Sequence, residues 1–297
     1  MSMRCGFVAI VGAPNAGKST LMNRLTGAKL SIVSPKAQTT RLRVLGILRR
    51  GESQILLVDT PGIFRPRRRL DRAMVAAAWT GAADADLVLL LVDAKTGVTG
   101  QVEEIADRLG QRGGLLWLVL NKVDLVAPPR LLPLVAMLAR RAPFAETFMV
   151  SAATGDGLDR LLDRLAAAMP EGPHLYPDDE LTDLSDRRLA AELVREQIFL
   201  QTHEEVPYGA TVETESWQDR PDGSVRIEAT VYVARPGHKA ILIGERGARI
   251  REIGARARAE LTRLLERPVH LFLNVKERAG WDEEAARLRA LGLEDPQ

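Results

Sequence analysis

A glycine-rich segment of eight residues lies near the N-terminus, and its residue types suit phosphate binding. The segment, Gly12-Ala-Pro-Asn-Ala-Gly-Lys-Ser19, directly follows an apolar run and directly precedes a helix-length segment. Its glycines let the backbone turn N–H groups toward phosphates, the lysine can reach the β- and γ-phosphates, and the serine hydroxyl can ligate Mg²⁺. A glycine-rich turn without a ligand is the alternative, but the complete pattern in this context favours a nucleotide. The predicted nucleotide contacts here are Gly12, Asn15, Ala16, Gly17, Lys18, Ser19 and Thr20.

Three further short motifs each close a predicted strand, and together they favour guanine over adenine. Asp59-Thr-Pro-Gly62 offers an acid that can hold Mg²⁺ through water and a glycine N–H that can sense the γ-phosphate. Asn121-Lys-Val-Asp124 offers a carboxylate that can accept two hydrogen bonds from guanine; adenine would leave it unpaired and lose about 10⁴-fold in affinity. In Ser151-Ala-Ala153, the second N–H could meet the guanine oxygen. The predicted contacts with the base are Asn121, Lys122, Asp124, Ser151 and Ala152.

These motifs, in this order, resemble those of the translation-factor-related GTPases. Within that class, Lys36-Ala-Gln-Thr-Thr-Arg41 is similar to the effector loop of the Era family of ribosome-assembly GTPases. The resemblance implies GTP or GDP and Mg²⁺ as ligands, and a loop threonine that ligates the metal only with GTP bound. Thr40 is favoured over Thr39, and a solvated loop threonine is the alternative. The implied metal ligands are Ser19, Thr40 and Asp59, and the implied catalytic residues are Lys18, Thr40, Asp59 and Gly62.

Ile63, which directly follows the Asp59–Gly62 motif, predicts slow intrinsic hydrolysis of GTP. Signalling GTPases place a glutamine there to orient the attacking water, and an isoleucine side chain cannot do so. Backbone groups, a metal ion or a partner would then position the water. Asn15 is a candidate ligand for a monovalent cation such as K⁺, as the resemblance suggests, and a turn-forming asparagine is the equal alternative.

The first half of the chain alternates short apolar runs with helix-length segments. Continuous apolar strands are typical of a parallel sheet that helices cover on both faces. The pattern therefore predicts an α/β, doubly wound fold: a P-loop GTPase domain with a mixed, mostly parallel sheet. The predicted strands are Phe7–Val11, Val44–Leu48, Ile55–Val58, Leu87–Val92, Leu115–Leu120 and Thr147–Val150. The predicted helices are Lys18–Ala28, Leu70–Ala83, Gln101–Gly110, Leu131–Arg140 and Leu158–Met169.

The pattern changes after Pro170-Glu-Gly-Pro173, which breaks the last of these helices. Two alternating strands follow, joined by the turn Arg220-Pro-Asp-Gly223, which indicates a hairpin. The element order helix, strand, strand, helix, helix, strand describes a smaller α+β domain. Its predicted elements are helix Arg188–Thr202, strands Ala210–Trp217 and Ser224–Ala234, the segment Lys239–Gly254, a helix to about Glu266 and strand Pro268–Lys276. The predicted divisions are a GTPase domain over 1–172, a linker over 173–186 and a second domain over 187–297.

The second domain contains the tetrapeptide Gly244-Glu-Arg-Gly247 between its two central helical segments. Alone this would indicate a helix–helix turn, but in this element order it resembles the loop of a type II K-homology domain, which clamps single-stranded RNA. Residues 235–263 hold eight Lys and Arg against three acids, a local excess that suits phosphate. Trp281, after the last strand, is equally a packing residue or a base platform. The predicted RNA contacts are Lys239, Ile243, Gly244, Glu245, Arg246, Gly247 and Arg249.

Charge and composition narrow the class of protein. Residues 1–172 carry 23 Lys and Arg against 15 Asp and Glu, and residues 173–297 carry 18 against 24, so the first part is basic. The one cysteine cannot form an internal disulfide. Apolar runs are far shorter than the roughly 20 residues of a membrane span. We therefore expect a cytoplasmic protein, with a peripheral membrane-associated fraction suggested by the family resemblance. We expect a monomer, because the sequence has no obvious zipper or exposed apolar helix face.

The resemblance covers nearly the whole chain and implies binding to the 3′ end of small-subunit (16S) ribosomal RNA and a role in late assembly of the 30S subunit. The main alternative is a GTPase whose C-terminal module contacts protein and not RNA. The single P-loop and the intact glycine tetrapeptide argue against that alternative. A metabolic phosphotransferase is less favoured still, because the guanine motif is present and no substrate-base constellation is.

Overall fold

The computed structural model describes residues 2–203 and 205–293. By compactness the chain divides into two units. Of the described residues, the first unit contains 2–31, 40–183 and 291–293; the second contains 32–39, 184–203 and 205–290. The structure thus groups the segment predicted to be a linker largely with the first unit. The predicted division at residues 172 and 187 stays a prediction.

The first unit is built on one six-stranded sheet with the order β2-β3-β1-β4-β5-β6. Its strands are parallel except β2, which pairs antiparallel with β3 at the edge. β3, β4 and β5 are buried almost along their whole length, as the continuous apolar runs predicted. The strands are β1 Arg4–Val11, β2 Val44–Arg50, β3 Ser53–Asp59, β4 Leu87–Asp93, β5 Leu115–Asn121 and β6 Glu146–Met149.

Helices cover both faces of this sheet and enclose two apolar clusters. The helix that closes the unit illustrates the cause: Leu158, Leu161 and Leu165 recur at helical spacing and are all buried against the sheet. Each such leucine contributes about 1.5–3 kcal/mol by leaving water. The helices are α1 Lys18–Thr26, α2 Arg69–Asp84, α3 Gly100–Arg112, α4 Leu131–Ala139 and α5 Leu158–Ala168. All five were predicted, with ends that differ by one or two residues.

The second unit has a three-stranded sheet, β7-β8-β9, with helices packed against it. β7 and β8 form the predicted hairpin, and β9 joins β8 in parallel, which requires the crossover through the intervening helices. This is the predicted type II K-homology order. The elements are α6 Asp186–Gln201, β7 Ala210–Asp219, β8 Val225–Val233, α7 Pro236–Ile243, α8 Ala248–Leu265, β9 Val269–Glu277 and α9 Ala285–Ala290. The short α9 was not predicted.

The segment Ile32–Thr39, which overlaps the predicted effector loop Lys36–Arg41, packs on α6 in the second unit. Ile32 is buried in an apolar cluster with Leu193, and the Val33 N–H donates to the Glu196 carboxylate at 2.9 Å. Lys36 Nζ donates to the backbone carbonyls of Phe199 and Thr202, close to the C-terminus of α6. Helix C-termini leave carbonyls without intrahelical partners, and a lysine is a suitable donor for them. The sequence placed this segment with the nucleotide site and gave no sign of its contact with α6.

Trp281 is a packing residue, which settles a question that the sequence left open. Its side chain is fully buried, and its Nε1–H donates to the Gly209 carbonyl at 3.0 Å. A fully buried indole cannot stack on a base from solvent. In residues 2–203 and 205–293, no helix combines the length and the apolar character that crossing a bilayer requires.

Candidate functional site

The loop between β1 and α1 has the shape that the glycine pattern predicted. Gly17 adopts φ 97°, and a Cβ there would lie 2.4 Å from Nδ2 of Asn121, so this position requires glycine. Asn15 is also left-handed, at φ 63°, a conformation that asparagine tolerates better than most residues. This geometry supports the turn-forming role of Asn15, and its K⁺ role stays a prediction.

Lys18 is the first residue of α1, and its side chain reaches back to this loop. Its side chain is buried, and Nζ donates to the carbonyls of Gly12 at 3.2 Å and Ala13 at 3.1 Å. Burial lowers the pKa of Lys18 to about 8, and the nearby Asp59 carboxylate opposes that shift in part. A cation held in this way is oriented and poorly solvated, so an arriving phosphate would interact with it strongly.

Ser19, Thr40 and Asp59 converge beside the lysine from three separate segments. Ser19 Oγ donates to Asp59 Oδ2 at 2.7 Å and lies 2.7 Å from Thr40 Oγ1. The other carboxylate oxygen, Oδ1, is buried and accepts no hydrogen bond from the residues that the structure describes. Burial raises the pKa of Asp59, against the opposing effects of the Ser19 hydroxyl and the Lys18 charge.

This cluster fits a hard cation. A carboxylate with an unused buried oxygen and two hydroxyls are oxygen donors of the kind that Mg²⁺ takes together with phosphates and water. Thr39, the second choice for the metal, points elsewhere: its hydroxyl lies 2.6 Å from Ser34 Oγ and donates to the Lys36 carbonyl at 2.8 Å. The structure therefore places Thr40, and not Thr39, at the predicted metal site.

Asn121 joins two loops behind the predicted base site. Its side chain is buried; Nδ2 donates to the Ala16 carbonyl at 2.9 Å, and Oδ1 accepts the Ala152 N–H at 2.9 Å. Both polar ends are thus used by backbone, which makes Asn121 a positioning residue. The expected contact of the Ala152 N–H with a guanine oxygen stays a prediction; in this structure that N–H donates to Asn121.

Asp93 is a residue of the site that the sequence analysis missed. Lys122 Nζ donates to Asp93 Oδ2 at 2.7 Å and to the Asn15 carbonyl at 2.7 Å, so the pair connects the ends of β4 and β5 to the phosphate loop. Burial alone would raise the pKa of Asp93, but the Lys122 ion pair and two backbone N–H donors outweigh it and lower the pKa. The available signal was its position at the end of β4, next to the strand end that carries the guanine motif.

Asp124 stands apart from this network. It lies in a short 3-10 helix, Val123–Leu125, and is exposed, so its carboxylate faces solvent at the edge of the site.

Ile63, in contrast to Asp124, is withdrawn from solvent. Its side chain is 7% exposed in the apolar cluster under α2 and α3, while its N–H donates to the Gly12 carbonyl at 3.1 Å. The prediction that this side chain cannot orient water agrees with its burial.

The glycine tetrapeptide of the second unit forms the link between α7 and α8. Gly244 adopts φ 69°, and a Cβ there would lie 2.8 Å from the Cβ of Arg249. Arg246 is left-handed at φ 49°, which is costly for an arginine and indicates that the surrounding loop holds it. Glu245, Arg246 and Arg249 are exposed, and Lys239 and Ile243 are half-buried on the preceding helix. Six of the seven predicted RNA contacts lie in or directly beside this loop, and Lys239 lies in the middle of α7.

Known protein families match both units. A family described as 50S ribosome-binding GTPase matches residues 7–122, and the KH domain family matches residues 205–282. The GTPase Era of Afipia carboxidovorans is 53% identical over 294 residues, which cover 99% of this chain and 96% of that protein. The GTPase Era of Mesorhizobium japonicum is 54% identical over 291 residues, covering 98% and 94%.

The chain belongs to the Era GTPase family. Two solved structures of the family extend the similarity to the fold, each 40% identical with a TM-score of 0.94. One is a tyrosine-to-alanine variant of Aquifex aeolicus Era bound to GDP·AlF4⁻, matched over 98% of this chain and 100% of that one. The other is Era in complex with MgGDPNP and nucleotides 1506–1542 of 16S ribosomal RNA, matched over 98% and 99%. The family and the fold class predicted from the sequence are both confirmed.

Proposed function

We propose that this chain is a guanine-nucleotide switch that binds and hydrolyses GTP and binds the 3′ end of 16S ribosomal RNA. The observation that carries the first part is the cluster of Ser19, Thr40 and Asp59 beside the buried Lys18. Family membership carries the second part, because an Era structure contains 16S nucleotides together with a GTP analogue. Because this RNA belongs to the 30S subunit, we infer that the protein assists late assembly of that subunit.

At the nucleotide end, Lys18 would neutralise the β- and γ-phosphates while the N–H groups of residues 12–20 orient them. Ser19, Thr40 and Asp59 would hold Mg²⁺, which neutralises charge on the phosphate oxygens. The Gly62 N–H would bind the γ-phosphate, and Thr40 would join the site in the GTP state. Because Ile63 is buried, the attacking water would be oriented by backbone, by a monovalent cation near Asn15 or by a partner.

At the base end, Asp124 would accept two hydrogen bonds from guanine, while Asn121 holds the loops of Ala16 and Ala152 at the correct separation. The Asp124→Asn variant tests this assignment. An asparagine offers one acceptor and one donor, so GDP affinity should fall about 100-fold or more. Xanthosine diphosphate, which has an oxygen in place of the amine, should then bind better than GDP. A variant that retains GDP affinity would remove Asp124 from the base site.

In the second unit, the loop of Gly244–Gly247 would clamp the sugar–phosphate backbone of single-stranded RNA, with Arg246, Arg249 and Lys239 meeting phosphates. The exposed positions available beside this loop are arginine, glutamate and aliphatic residues, so the bases would be contacted mainly by backbone and aliphatic groups. Binding while GTP is held and release after hydrolysis would make the chain a timer.

The double variant Glu245→Asp and Arg246→Asp tests the RNA assignment. It changes the charge of the loop by two units, and we expect about tenfold or greater loss of affinity for a short 16S 3′-end RNA in filter binding at fixed salt. The control is Glu260→Asp with Arg263→Asp, the same charge change near the C-terminus of α8. Equal RNA affinity in the two double variants would favour the alternative that the module binds protein.

The family resemblance suggests a peripheral membrane fraction and stimulation by K⁺, whereas the cytoplasmic location and the monomeric state are inferred from the sequence. We place the protein in the cytoplasm, with a peripheral fraction on the inner face of the membrane, and expect it to be a monomer. Stimulation of hydrolysis by K⁺ would be measured by comparing turnover in KCl and NaCl at equal ionic strength. Equal rates would leave Asn15 as a turn residue.

A further inference from the structure

An open cavity of about 310 Å³ lies in the first unit, between α2, α3 and the segment Ile63–Pro66. Val75 and Trp79 line it from α2, and Ile105 lines it from α3. These positions recur at helical spacing on each helix, so each helix presents one continuous face to the cavity. Among the predicted nucleotide, metal and RNA contacts, none lines this cavity.

The interior of this cavity offers mainly apolar surface. The polar side chains that line it already contact other groups of the protein. Gln101 Nε2 donates to the Ile63 carbonyl at 2.6 Å, and Glu104 pairs with Arg65 at 2.7 Å. The Arg108 guanidinium lies 4.0 Å from the centre of the Trp79 ring and covers one of its faces. A nucleobase here would leave its polar edge unpaired and would find Trp79 partly covered. An apolar side chain suits the cavity better.

The rim of this cavity is basic. Arg65 is 88% exposed, and Arg108, which also lines the cavity, is exposed. Arg72 is exposed on α2, three and seven residues before Val75 and Trp79, and so lies on the same helix face. Among the residues that line the cavity, Glu104 is the acidic one, and its ion pair with Arg65 balances its charge. The charge around the cavity therefore complements an acidic occupant.

We propose that this cavity docks an acidic segment of a partner protein, which inserts one aromatic or long aliphatic side chain between α2 and α3. The inserted side chain contacts Val75, Trp79 and Ile105, and the carboxylates on either side meet Arg65, Arg72 and Arg108. Such an arrangement, a buried apolar side chain within a charged rim, is how small protein interfaces concentrate their affinity. The site is separate from the nucleotide and RNA functions proposed above.

The test uses the full chain, saturated with Mg·GDP or with Mg and a non-hydrolysable GTP analogue, and fluorescein-labelled pentapeptides followed by anisotropy. The probes are Asp-Asp-Phe-Asp-Asp, the same peptide with alanine in the centre, and Lys-Lys-Phe-Lys-Lys. Val75→Glu introduces a carboxylate into the cavity, and Ala76→Glu introduces it at the adjacent, exposed position of the same helix. Arg72→Glu reverses a rim charge without altering the interior and serves if Val75→Glu does not fold.

In either nucleotide state, we expect the acidic phenylalanine peptide to bind with a Kd of about 0.1–1 mM, and the alanine and lysine peptides to bind about tenfold more weakly. Val75→Glu should weaken binding about tenfold and Arg72→Glu several-fold, while Ala76→Glu should match the wild type. Absence of binding, equal binding of the three peptides, or equal effects of Val75→Glu and Ala76→Glu would overturn the proposal. So would binding of a labelled hexauridylate that Val75→Glu abolishes, since the site would then take RNA.

Discussion

Lys18, Asp59 and Asn121 show how single buried polar residues set the chemistry of the nucleotide site. Lys18 and Asp59 are charged groups out of water whose pKa values move toward the neutral forms. Lys18 donates to two backbone carbonyls, and Asp59 Oδ1 accepts no hydrogen bond from the described residues. Phosphate and a cation would supply what is missing. Asn121, in contrast, donates one amide hydrogen to the Ala16 carbonyl and accepts the Ala152 N–H, so it positions the neighbouring loops.

The lowered pKa of Lys18 predicts proton uptake when GDP binds. Phosphate favours the charged lysine and raises its pKa, so a lysine that is neutral above about pH 8 must take up a proton on binding. At pH 8.5 uptake should approach about 0.7 proton, and GDP affinity should be about fourfold lower than at pH 7. Calorimetry in two buffers of different ionisation enthalpy measures the uptake. Identical heats in both buffers at pH 8.5 would contradict the prediction.

Replacement of Asn121 by alanine should destabilise the first unit by about 2–4 kcal/mol. The Ala16 carbonyl and the Ala152 N–H would lose their partner, and each unpaired buried group costs about 1–3 kcal/mol. GDP affinity should fall as well, because the two loops would lose their fixed separation. Denaturant unfolding and GDP titration measure these effects, with Asn274→Ala, an exposed residue of β9, as the control. Equal stability of the two variants would show that Asn121 is not structural.

At the scale of elements, the contact of the segment Ile32–Thr39 with α6 is the feature with most consequence. Thr39 ends this segment, and Thr40, one residue later, lies at the predicted metal site. Within the second unit, hydrogen bonds of Val33 and Lys36 and the apolar packing of Ile32 hold this segment on α6.

The Lys36→Met variant tests how strongly α6 holds this segment. The methionine keeps the apolar stem but removes the donor to the Phe199 and Thr202 carbonyls. The free energy that holds the segment on α6 should therefore fall by about 1–2 kcal/mol. Hydrogen exchange of the amides of residues 32–39 should become faster by roughly tenfold. Lys95→Met, at an exposed turn, provides the control. Unchanged exchange in Lys36→Met would mean that Ile32 and Glu196 hold the segment without the lysine.

At the scale of the whole molecule, each unit has an apolar core of its own. The core of the first lies on both faces of the six-stranded sheet, and the core of the second lies between β7–β9 and the helices α6, α7 and α8. The nucleotide residues Lys18, Asp59 and Asp124 all belong to the first unit, and the Gly244–Gly247 loop belongs to the second. Damage to one core should therefore leave the other site intact.

The Trp281→Ala variant tests this separation. It leaves a cavity at a fully buried position of the second unit and should lower the free energy of unfolding by about 3–5 kcal/mol. Trp281→Phe keeps most of the side-chain volume and should lower it less. Affinity for the 16S 3′-end RNA should fall in the alanine variant, while GDP affinity at 25 °C should stay within about twofold of the wild type. Parallel loss of GDP binding would refute separate cores.

The sequence by itself determined the family, the fold class and nearly every helix and strand. These follow from local information: apolar runs such as Leu87–Val92 specify buried strands, and a motif at a strand end brings its residues to one edge of a parallel sheet. Ser19 and Asp59 could be predicted from their motifs, whereas Thr40 came from the resemblance of Lys36–Arg41 to the family's effector loop. The helical spacing of Leu158, Leu161 and Leu165 likewise needs no distant partner.

Only the tertiary structure decided which distant groups pair. The ion pair of Lys122 with Asp93, the contact of Lys36 with α6, and the burial of Trp281 under the Gly209 carbonyl each join residues far apart in the chain. No local pattern specifies such pairs, because many lysines and tryptophans have similar neighbours in sequence and differ only in what packs against them. The cavity beside Trp79 has the same origin, since it exists only where two helices and a loop meet.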